Sequence, residues 1–197
     1  MKKKTLIFIA LPIIFIIILI ALIMLNKNEI KDNTEIEQIV ADSNLELLLN
    51  LENFERESYS AEKLLEVSMN FASQKKYMNE TQDGELYEYV NKNELHDIIY
   101  ALTGITVEAP IQIEDSLYVY DSENERYFLV PIEFAKYEIT NINHIYKNDN
   151  TYTIECTAQK KQDGEIVDQK TFTSIFEKTS DNQYASYQLQ SQTVSQK

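Results

Sequence analysis

The residue types that most often carry out catalysis or hold metals are sparse in this chain. Its 197 residues include one cysteine, Cys156, and two histidines, His96 and His144. A cysteine beside a histidine can act as an activated nucleophile, because the imidazole takes up the thiol proton. These three residues lie apart along the chain and fit no metal-ligand spacing. We therefore expect no catalytic, cofactor-binding or metal-binding residue and no cofactor, and we expect that the protein is not an enzyme.

The two histidines lie in local sequences that predict ordinary polar roles. His96, in "NELHDII", falls among the polar positions of a predicted helix, with Asp97 beside it. His144, in "NINHIYK", falls on a predicted strand. We expect both side chains to be solvated or hydrogen-bonded.

Cys156 lies in the strand-like stretch "YTIECTA". Alternate residues of a strand share one face, so the thiol lies on the same face as Tyr152, Ile154 and Ala158. This apolar face predicts a buried, unreactive thiol. A single cysteine also excludes an intrachain disulfide.

The acidic stretch "DSENE" could be taken for part of a calcium loop. Asp121, Glu123 and Glu125 alternate like the first ligands of a helix-loop-helix calcium site. The glycine that such a loop needs is replaced by Arg126, and the twelfth position is Ile132 instead of glutamate. We therefore interpret the stretch as the polar tip of a hairpin.

Tyrosine is abundant, with 13 copies, eight of which lie in the strand-rich later part of the chain. Strands favour tyrosine, so packing on a half-buried sheet is the first interpretation. The alternative is that some of them line the mouth of a curved sheet and bind an apolar or peptide ligand. The tyrosines in question are Tyr118, Tyr120, Tyr127, Tyr137, Tyr146, Tyr152, Tyr184 and Tyr187.

The charge of the chain argues against several classes of partner. Three of the 18 bases precede residue 26 and all 32 acids follow it, so residues 26–197 carry 15 bases, 32 acids and a net charge of −17. Nucleic-acid binding needs basic patches, so we expect no nucleic-acid partner. The same charge opposes a domain lying flat on anionic lipid. It serves either solubility or the binding of a basic partner.

The N-terminal residues predict a membrane anchor. Between Thr5 and Leu25 only Thr5 and Pro12 are not apolar, and a helix of this length spans roughly 31 Å, about one hydrocarbon core. The run is longer than the apolar part of a cleavable signal peptide and lacks a small-residue cleavage site. Lys2–Lys4 precede it, which places the N-terminus in the cytoplasm and the C-terminal domain outside the cell membrane.

These features divide the chain into three parts. Residues 1–25 are predicted to form a cytoplasmic lysine cluster and a transmembrane signal anchor. Residues 26–33 are predicted to be a polar tether, and residues 34–197 an extracytoplasmic α+β domain of ordinary size.

The first helix of that domain is predicted from a capping box made by Thr34 and Glu37. Its apolar pattern continues to Leu51, with an interruption expected at Ser43–Asn44.

Two further helices follow. Ser60 is expected to cap the second, and Asn91 with Glu94 to form the capping box of the third, which Gly104 ends. Their inward faces provide the helical part of the predicted core, which consists of Leu64, Leu65, Phe71, Ile98, Ile99 and Leu102.

The apolar period then changes from helical to two. Residues 105–133 read as irregular connection with short strands such as "LYVY" and "RYFLV". Four strand-like runs follow, at about 134–147, 151–161, 165–178 and 183–194, joined by the turn signals "NDN", "QDG" and "SDN". Helices followed by such strands predict helices packed on one face of a curved four-stranded antiparallel meander. The strands supply the rest of the predicted core, Tyr137, Ile139, Ile154, Phe172, Phe176 and Leu189.

This order of elements resembles the cone-shaped nuclear-transport-factor-2-like and cystatin-like domains. The stretch "ALTG", then "YVYDSENERYFLVP", then a long meander is similar to uncharacterised anchored or secreted proteins of low-GC Gram-positive bacteria. The resemblance covers residues 55–194 and implies a shape more than an activity, because the group has catalytic and non-catalytic members.

Together these features favour a non-enzymatic module that contacts another protein at the cell surface. One alternative is a scaffold subunit of a conjugation or type IV secretion-like machine, which would share the plan of one span and an outer domain. Another is a ligand-binding or hydrolytic domain that uses a cavity in the sheet.

The length of the apolar run leads to a first prediction, that the leader is retained. Mass analysis of the protein from the membrane fraction should find the N-terminus intact, because the run offers no small-residue cleavage site. A major soluble form that begins near Asn26 would contradict the prediction.

Overall fold

A long antiparallel sheet is the largest element of the structure. The structure is a computed structural model that describes residues 28–75, 77, 79–80, 88–113, 118–129, 136–162, 164–180 and 182–196. The predicted transmembrane anchor, residues 1–25, lies outside these residues. Among the helices that are described, none is long and apolar enough to cross a membrane. The architecture is α+β, as the sequence predicts.

Four consecutive strands form the centre of the sheet and confirm the predicted strands. The first two connections between them are tight turns in which Asp149 and Gly164 adopt the left-handed conformation, with φ of 51° and 82°. The strands are β7 (Tyr137–Asn148), β8 (Thr151–Gln162), β9 (Glu165–Lys178) and β10 (Tyr187–Gln196).

The predicted strand count of four is wrong, because the sheet has six strands in the order β1-β7-β8-β9-β10-β2. β1 (Asn28–Glu29) pairs with β7, and β2 (Phe54–Glu55) pairs with β10, both antiparallel. Strands of two residues have no hydrophobic period, so the sequence pattern does not reveal them. They shorten the exposed edges of the sheet, which would otherwise invite pairing with other chains.

Side chains cover further backbone groups at these edges. The carboxylate of Glu46 accepts a hydrogen bond from the Ile139 backbone amide at 3.1 Å. The side-chain oxygen of Asn53 accepts one from the Val194 amide, also at 3.1 Å. Both edges of the sheet are therefore closed partly by polar side chains from the helical half of the chain.

The two faces of the sheet differ in composition. Residues that pair across neighbouring strands point to the same face, and the paired rows Ile154–Ser174 and Cys156–Phe172 are fully buried. The opposite face carries polar residues, as in the paired row Thr157–Thr171. The buried residues of the inner face are Tyr137, Ile145, Tyr152, Ile154, Cys156, Ala158, Phe172, Ser174, Phe176, Tyr187, Leu189 and Gln192.

The first helical segment differs in detail from its prediction. α1 (Asn33–Asp42) is capped by Asp32, whose carboxylate accepts from the Glu35 amide at 2.9 Å, instead of by Thr34. The predicted interruption at Ser43–Asn44 is confirmed, with Asn44 left-handed at φ 53°. α2 (Leu45–Leu48) and a 3-10 turn (Leu49–Leu51) follow.

The two longer helices begin where the sequence indicates. In α3 (Ala61–Gln74) the Ser60 hydroxyl accepts from the Lys63 amide at 3.3 Å, as predicted. In α4 (Lys92–Thr103) Asn91 occupies the capping position without a side-chain hydrogen bond. The first amide of α4 donates instead to the Glu125 carbonyl at 2.8 Å.

A second sheet, absent from the prediction as a sheet, accompanies these helices. Its order is β3-β4-β6-β5, and all of its pairs are antiparallel. Its strands have four residues or fewer, and two of them match the predicted short strands. They are β3 (Asn79–Glu80), β4 (Glu88–Asn91), β5 (Tyr118–Asp121) and β6 (Arg126–Leu129).

The core lies where the helices meet the long sheet. α4 contacts both β10 of the six-stranded sheet and β4 of the second sheet, so it packs between them. Of the twelve predicted core residues, eleven are buried and Ile139 is half-buried.

The end of α4 depends on a close contact between Gly104 and Arg56. Gly104 has φ 70°, and a Cβ atom there would lie 2.6 Å from Arg56 Cζ. The Arg56 guanidinium donates to the Thr103 carbonyl at 2.7 Å and to the Gln188 side chain at 3.3 Å. A cation at this position also suits the helix dipole. Glycine is therefore needed both for its φ and for the space it leaves to Arg56.

The contact between Gly104 and Arg56 predicts that two glycine substitutions differ in their effect on stability. Gly164→Ala should lower the free energy of unfolding only by the strain of a left-handed alanine, roughly 1–2 kcal/mol, since an added Cβ meets nothing within 4 Å. Gly104→Ala should cost about 1.5–3 kcal/mol more, because it displaces hydrogen bonds of a charged group. Urea unfolding of the full chain in a mild detergent measures both.

Arg56→Ala provides the control. In that background Gly104→Ala should cost no more than Gly164→Ala, because the guanidinium is no longer there to be displaced. Equal costs of the two glycine substitutions in the wild-type background would refute the proposed contact.

Candidate functional site

A polar cleft of about 430 Å³ opens at the start of α4 and is the candidate functional site. Three segments that are distant in sequence form it: the first turns of α4, the β5–β6 turn, and the segment that joins β9 to β10. We call it the α4 cleft. The residues that line it are Asn91, Lys92, Asn93, Glu94, Asp97, Asn124, Glu125 and Tyr184.

The β5–β6 turn is held in place by Asp121. Its carboxylate accepts hydrogen bonds from the backbone amides of Glu123 and Asn124 at 3.1 and 3.2 Å, and from Arg126 Nε at 3.1 Å. These bonds hold the pKa of Asp121 below its usual value, with the Asn124 side chain contributing most. The "DSENE" stretch is thus a hairpin turn, as interpreted from the sequence.

An ion pair joins the turn to the helix across one side of the cleft. Lys92 Nζ contacts the Glu125 carboxylate, and this hydrogen bond raises the pKa of Lys92. The lysine charge is therefore neutralised within the cleft. The carboxylates of Glu94 and Asp97, three residues apart and thus neighbours on one helix face, remain to act on a ligand.

Tyr184 forms the aromatic side of the cleft. Its ring meets Tyr77 edge-on at a centroid distance of 5.1 Å, and Tyr77 stacks on the buried Phe71 at 6.1 Å. Burial, followed by the charge of Glu94, raises the pKa of the Tyr184 hydroxyl. The hydroxyl is therefore protonated at neutral pH and available as a hydrogen-bond donor.

This combination of groups suits a cationic ligand. Two free carboxylates, several side-chain amides and an aromatic ring can bind an ammonium or guanidinium group by charge-assisted hydrogen bonds and by cation–π contact. Over the part of the chain that the structure describes, no group of three His, Cys, Asp or Glu side chains could hold a metal ion.

The structure places His96 against the second sheet and outside the cleft lining. Its Nε2 atom lies 3.4 Å from Tyr127 Oη, which accepts a hydrogen bond from the Ile111 amide at 2.8 Å. Burial and then the Lys92 charge lower the pKa of His96, so the ring is neutral at pH 7. Through Tyr127, His96 thus helps to position the segment after α4.

His144 and Cys156 lie on opposite faces of the long sheet. His144 pairs with Glu155 on the outer face, and its Nδ1 atom lies 2.8 Å from a carboxylate oxygen of Glu29. Cys156 lies on the inner face and is fully buried. This geometry rules out a catalytic pair between the two residues.

A second polar cluster lies where β7 begins and beside the first residues of β9. Its side chains form hydrogen bonds and ion pairs with one another. Tyr137 Oη donates to the Asp168 carboxylate at 2.8 Å, and Lys170 Nζ lies 2.8 Å from Asp168 and 3.4 Å from Glu52. The Lys170 hydrogen bond holds the pKa of Asp168 below its usual value. This cluster ties the strand ends to the segment after α2 and leaves no evident group for a ligand.

Most of the eight tyrosines named from the sequence pack in the core, in agreement with the first interpretation. Five of the eight are buried in the core, and Tyr184 alone of the eight lines the α4 cleft. The cleft itself could not be found from sequence, because Asp97, Asn124 and Tyr184 are brought together only by the fold. The one local signal was the pair Glu94 and Asp97 on a single helix face.

Comparison with protein-family models, curated proteins and solved structures produced no match to this chain. The resemblance to nuclear-transport-factor-2-like and cystatin-like domains therefore stays a prediction.

The environment of Cys156 generates a prediction about its reactivity. Burial raises the pKa of this thiol to about 12, against an ordinary value of 9.0. Since the thiolate is the reactive form, about a thousandfold less of it is present than for a thiol of ordinary pKa. A maleimide should label Cys156 in the native full chain far more slowly than a cysteine placed at the exposed Asn150.

The labelling experiment carries its own control. Unfolding in guanidinium should bring the two rates together, because burial is then lost. A native rate at Cys156 close to that at position 150 would show that the inner face of the sheet is assigned wrongly.

Proposed function

We propose that this protein is a membrane-anchored, extracytoplasmic interaction module that binds a basic segment of another protein in the α4 cleft. The observation that carries the proposal is the charge of the cleft. Three carboxylates line it against one lysine, and that lysine is already paired with Glu125. A basic side chain would therefore find the free carboxylates of Glu94 and Asp97 beside the ring of Tyr184.

The anchored, outward-facing arrangement is supported by the N-terminal sequence. The apolar run 5–25 is long enough to span a bilayer, and Lys2–Lys4 before it favour a cytoplasmic N-terminus. The cell membrane and a protein are then the partners of the domain. The net charge of −17 in residues 26–197 opposes a nucleic-acid partner.

A binding role is favoured over an enzymatic one by where the reactive residue types lie. Cys156 is buried with a raised pKa, His96 is held between the helix and the second sheet, and His144 is paired with Glu29 on the outer face. None of these three residues lines the α4 cleft.

The size of the cleft favours a second candidate, a small cationic ligand. A volume of about 430 Å³ falls in the range of small-molecule sites. The groups that would bind such a ligand are the same, so the experiment must distinguish a protein partner from a free cation.

A photo-crosslinking amino acid at the exposed Asn93 tests the proposal in native membranes. We expect a discrete adduct with a second protein. Glu94→Gln together with Asp97→Asn should reduce that adduct by about tenfold or more, because each lost charge-assisted hydrogen bond is worth roughly 1.5–3 kcal/mol. An oligolysine peptide should compete for the site.

The matched control removes two acids elsewhere. Glu57 and Glu108 are both exposed, so Glu57→Gln together with Glu108→Gln changes the net charge equally but should leave the adduct unchanged. Adduct formation that is insensitive to the Glu94 and Asp97 substitutions would refute the cleft as the binding site. Binding of small diamines without any protein adduct would favour the second candidate.

A further inference from the structure

The segment that follows α4 is held in place by few interactions. Residues 106–113, which we call the strap, form no helix or strand, and none of their side chains is fully buried. Ile105, just before the strap, is 8% exposed, and its amide donates to the Thr103 hydroxyl at 3.3 Å. The strap therefore starts from a fixed point, but its own position depends on a small number of contacts.

Two side chains from different elements bind the backbone of the strap. His96 of α4 forms a hydrogen bond with the Val107 carbonyl. Tyr127 Oη of β6 accepts a hydrogen bond from the Ile111 amide at 2.8 Å. His96 Nε2 lies 3.4 Å from the same Tyr127 oxygen. One chain of hydrogen bonds therefore joins the strap, α4 and β6, and His96 is in the middle of it.

This chain of hydrogen bonds requires an uncharged imidazole. A neutral ring has one donor and one acceptor nitrogen, and the Val107 carbonyl takes the donor. The Ile111 amide occupies the Tyr127 oxygen, so the Tyr127 hydroxyl donates its proton to the acceptor nitrogen of His96. The hydrogen-bond network thus assigns the tautomer. A protonated ring would have two donors, and the second would face the hydroxyl proton.

The charges near the ring act in both directions. Burial, followed by the Lys92 charge, lowers the pKa of His96 below its ordinary value of 6.5, whereas Asp97 raises it by a smaller amount. The net effect opposes a proton on the ring. The titratable groups on the elements around it are Lys92 and Asp97 of α4, Tyr127 of β6, Tyr120 of β5, Glu125 of the β5–β6 turn and the exposed Glu108 of the strap.

Acid therefore favours release of the strap. Once released, the ring of His96 is open to water and takes up a proton near the ordinary pKa of 6.5, whereas burial lowers the pKa while the strap is held. The released state binds more protons between these two values, so the held state loses stability as the pH falls below 6.5. Lys92 stays beside the ring in both states, so the difference between them comes from burial and hydrogen bonding.

We infer that His96 is a proton-operated latch. At neutral pH its uncharged ring holds the strap against α4 and β6, and protonation in mild acid releases the strap while α4 and the second sheet stay folded. Release exposes His96 and Tyr127 to water and frees the backbone of residues 106–113. None of these residues lines the α4 cleft, so the latch does not depend on what the cleft binds.

Hydrogen–deuterium exchange of the full chain in a mild detergent tests the latch. It is measured at about pH 7.5 and about pH 5.5, one unit on either side of the ordinary histidine pKa, and divided by the intrinsic exchange rates. The strap amides, above all that of Ile111, should lose protection at the lower pH by up to about tenfold, the limit for one proton over one pH unit. The amides of α4 and β6 should keep their protection.

The two histidines of the chain provide a matched pair of variants. His96→Gln has no charge at either pH, so its strap should show the same protection at both. His144→Gln removes the other histidine, which is on the long sheet, and should keep the wild-type pH dependence. Equal protection of the wild-type strap at both pH values, or a pH dependence that persists in His96→Gln, would overturn the latch. A loss of protection that extends over α4 and β6 would show general unfolding instead.

An NMR titration of the histidine rings keeps the inference testable if His96→Gln does not fold. The pKa of His96 should lie below 6.5 in the wild type. Tyr127→Phe keeps the aromatic ring in the core but removes the hydroxyl that donates to His96, so it should raise that pKa. A His96 ring that titrates at 6.5 or above, or that does not respond to Tyr127→Phe, would contradict the proposed hydrogen-bond chain.

Discussion

The burial of one face of the β7–β10 meander is the constraint on which the rest of the structure depends. Strands of 10 to 14 residues expose a wide apolar surface, and at roughly 25 cal/mol per Å² its removal from water is the largest favourable contribution available to the chain. Two buried polar side chains determine how the helical half covers this surface. Gln192 donates to the carbonyls of Leu48 and Glu52, and Gln188 donates to that of Tyr100. A helix that shifted would leave these buried amides unsatisfied.

The parts of the fold that sequence predicts well are those in which one period continues over many residues. β7 to β10 and the inward faces of α3 and α4 fall in this class, because each has at least three turns or five alternations to establish its pattern. β1 and β2 have two residues each and exist only because β7 and β10 offer unpaired edges. The second sheet was not predicted for a related reason. Of the side chains whose burial is described in β4, β5 and β6, one in each strand is buried, namely Val90, Tyr118 and Tyr127. In addition, β4 pairs with β6 across a helix and a long connection.

Helix starts show the same limit on a smaller scale. Three capping groups were proposed from sequence and only Ser60 makes the expected hydrogen bond. Asp32 competes successfully with Thr34, since either carries an oxygen that can accept from the first turn. At α4 the Asn91 side chain makes no capping hydrogen bond, and the first helical amide, that of Lys92, donates to the carbonyl of Glu125, from a turn 33 residues away. The local sequence therefore indicates which residues could cap a helix, and tertiary contacts determine which of them do.

The same tertiary contact also explains where the candidate site lies. Because the Glu125 carbonyl binds the start of α4, the β5–β6 turn is drawn over the helix and a cleft remains between them. Tyr184 completes the cleft from the segment between β9 and β10. A basic segment entering there would be attracted by the free carboxylates of Glu94 and Asp97, because the one lysine among the lining residues is already paired with Glu125.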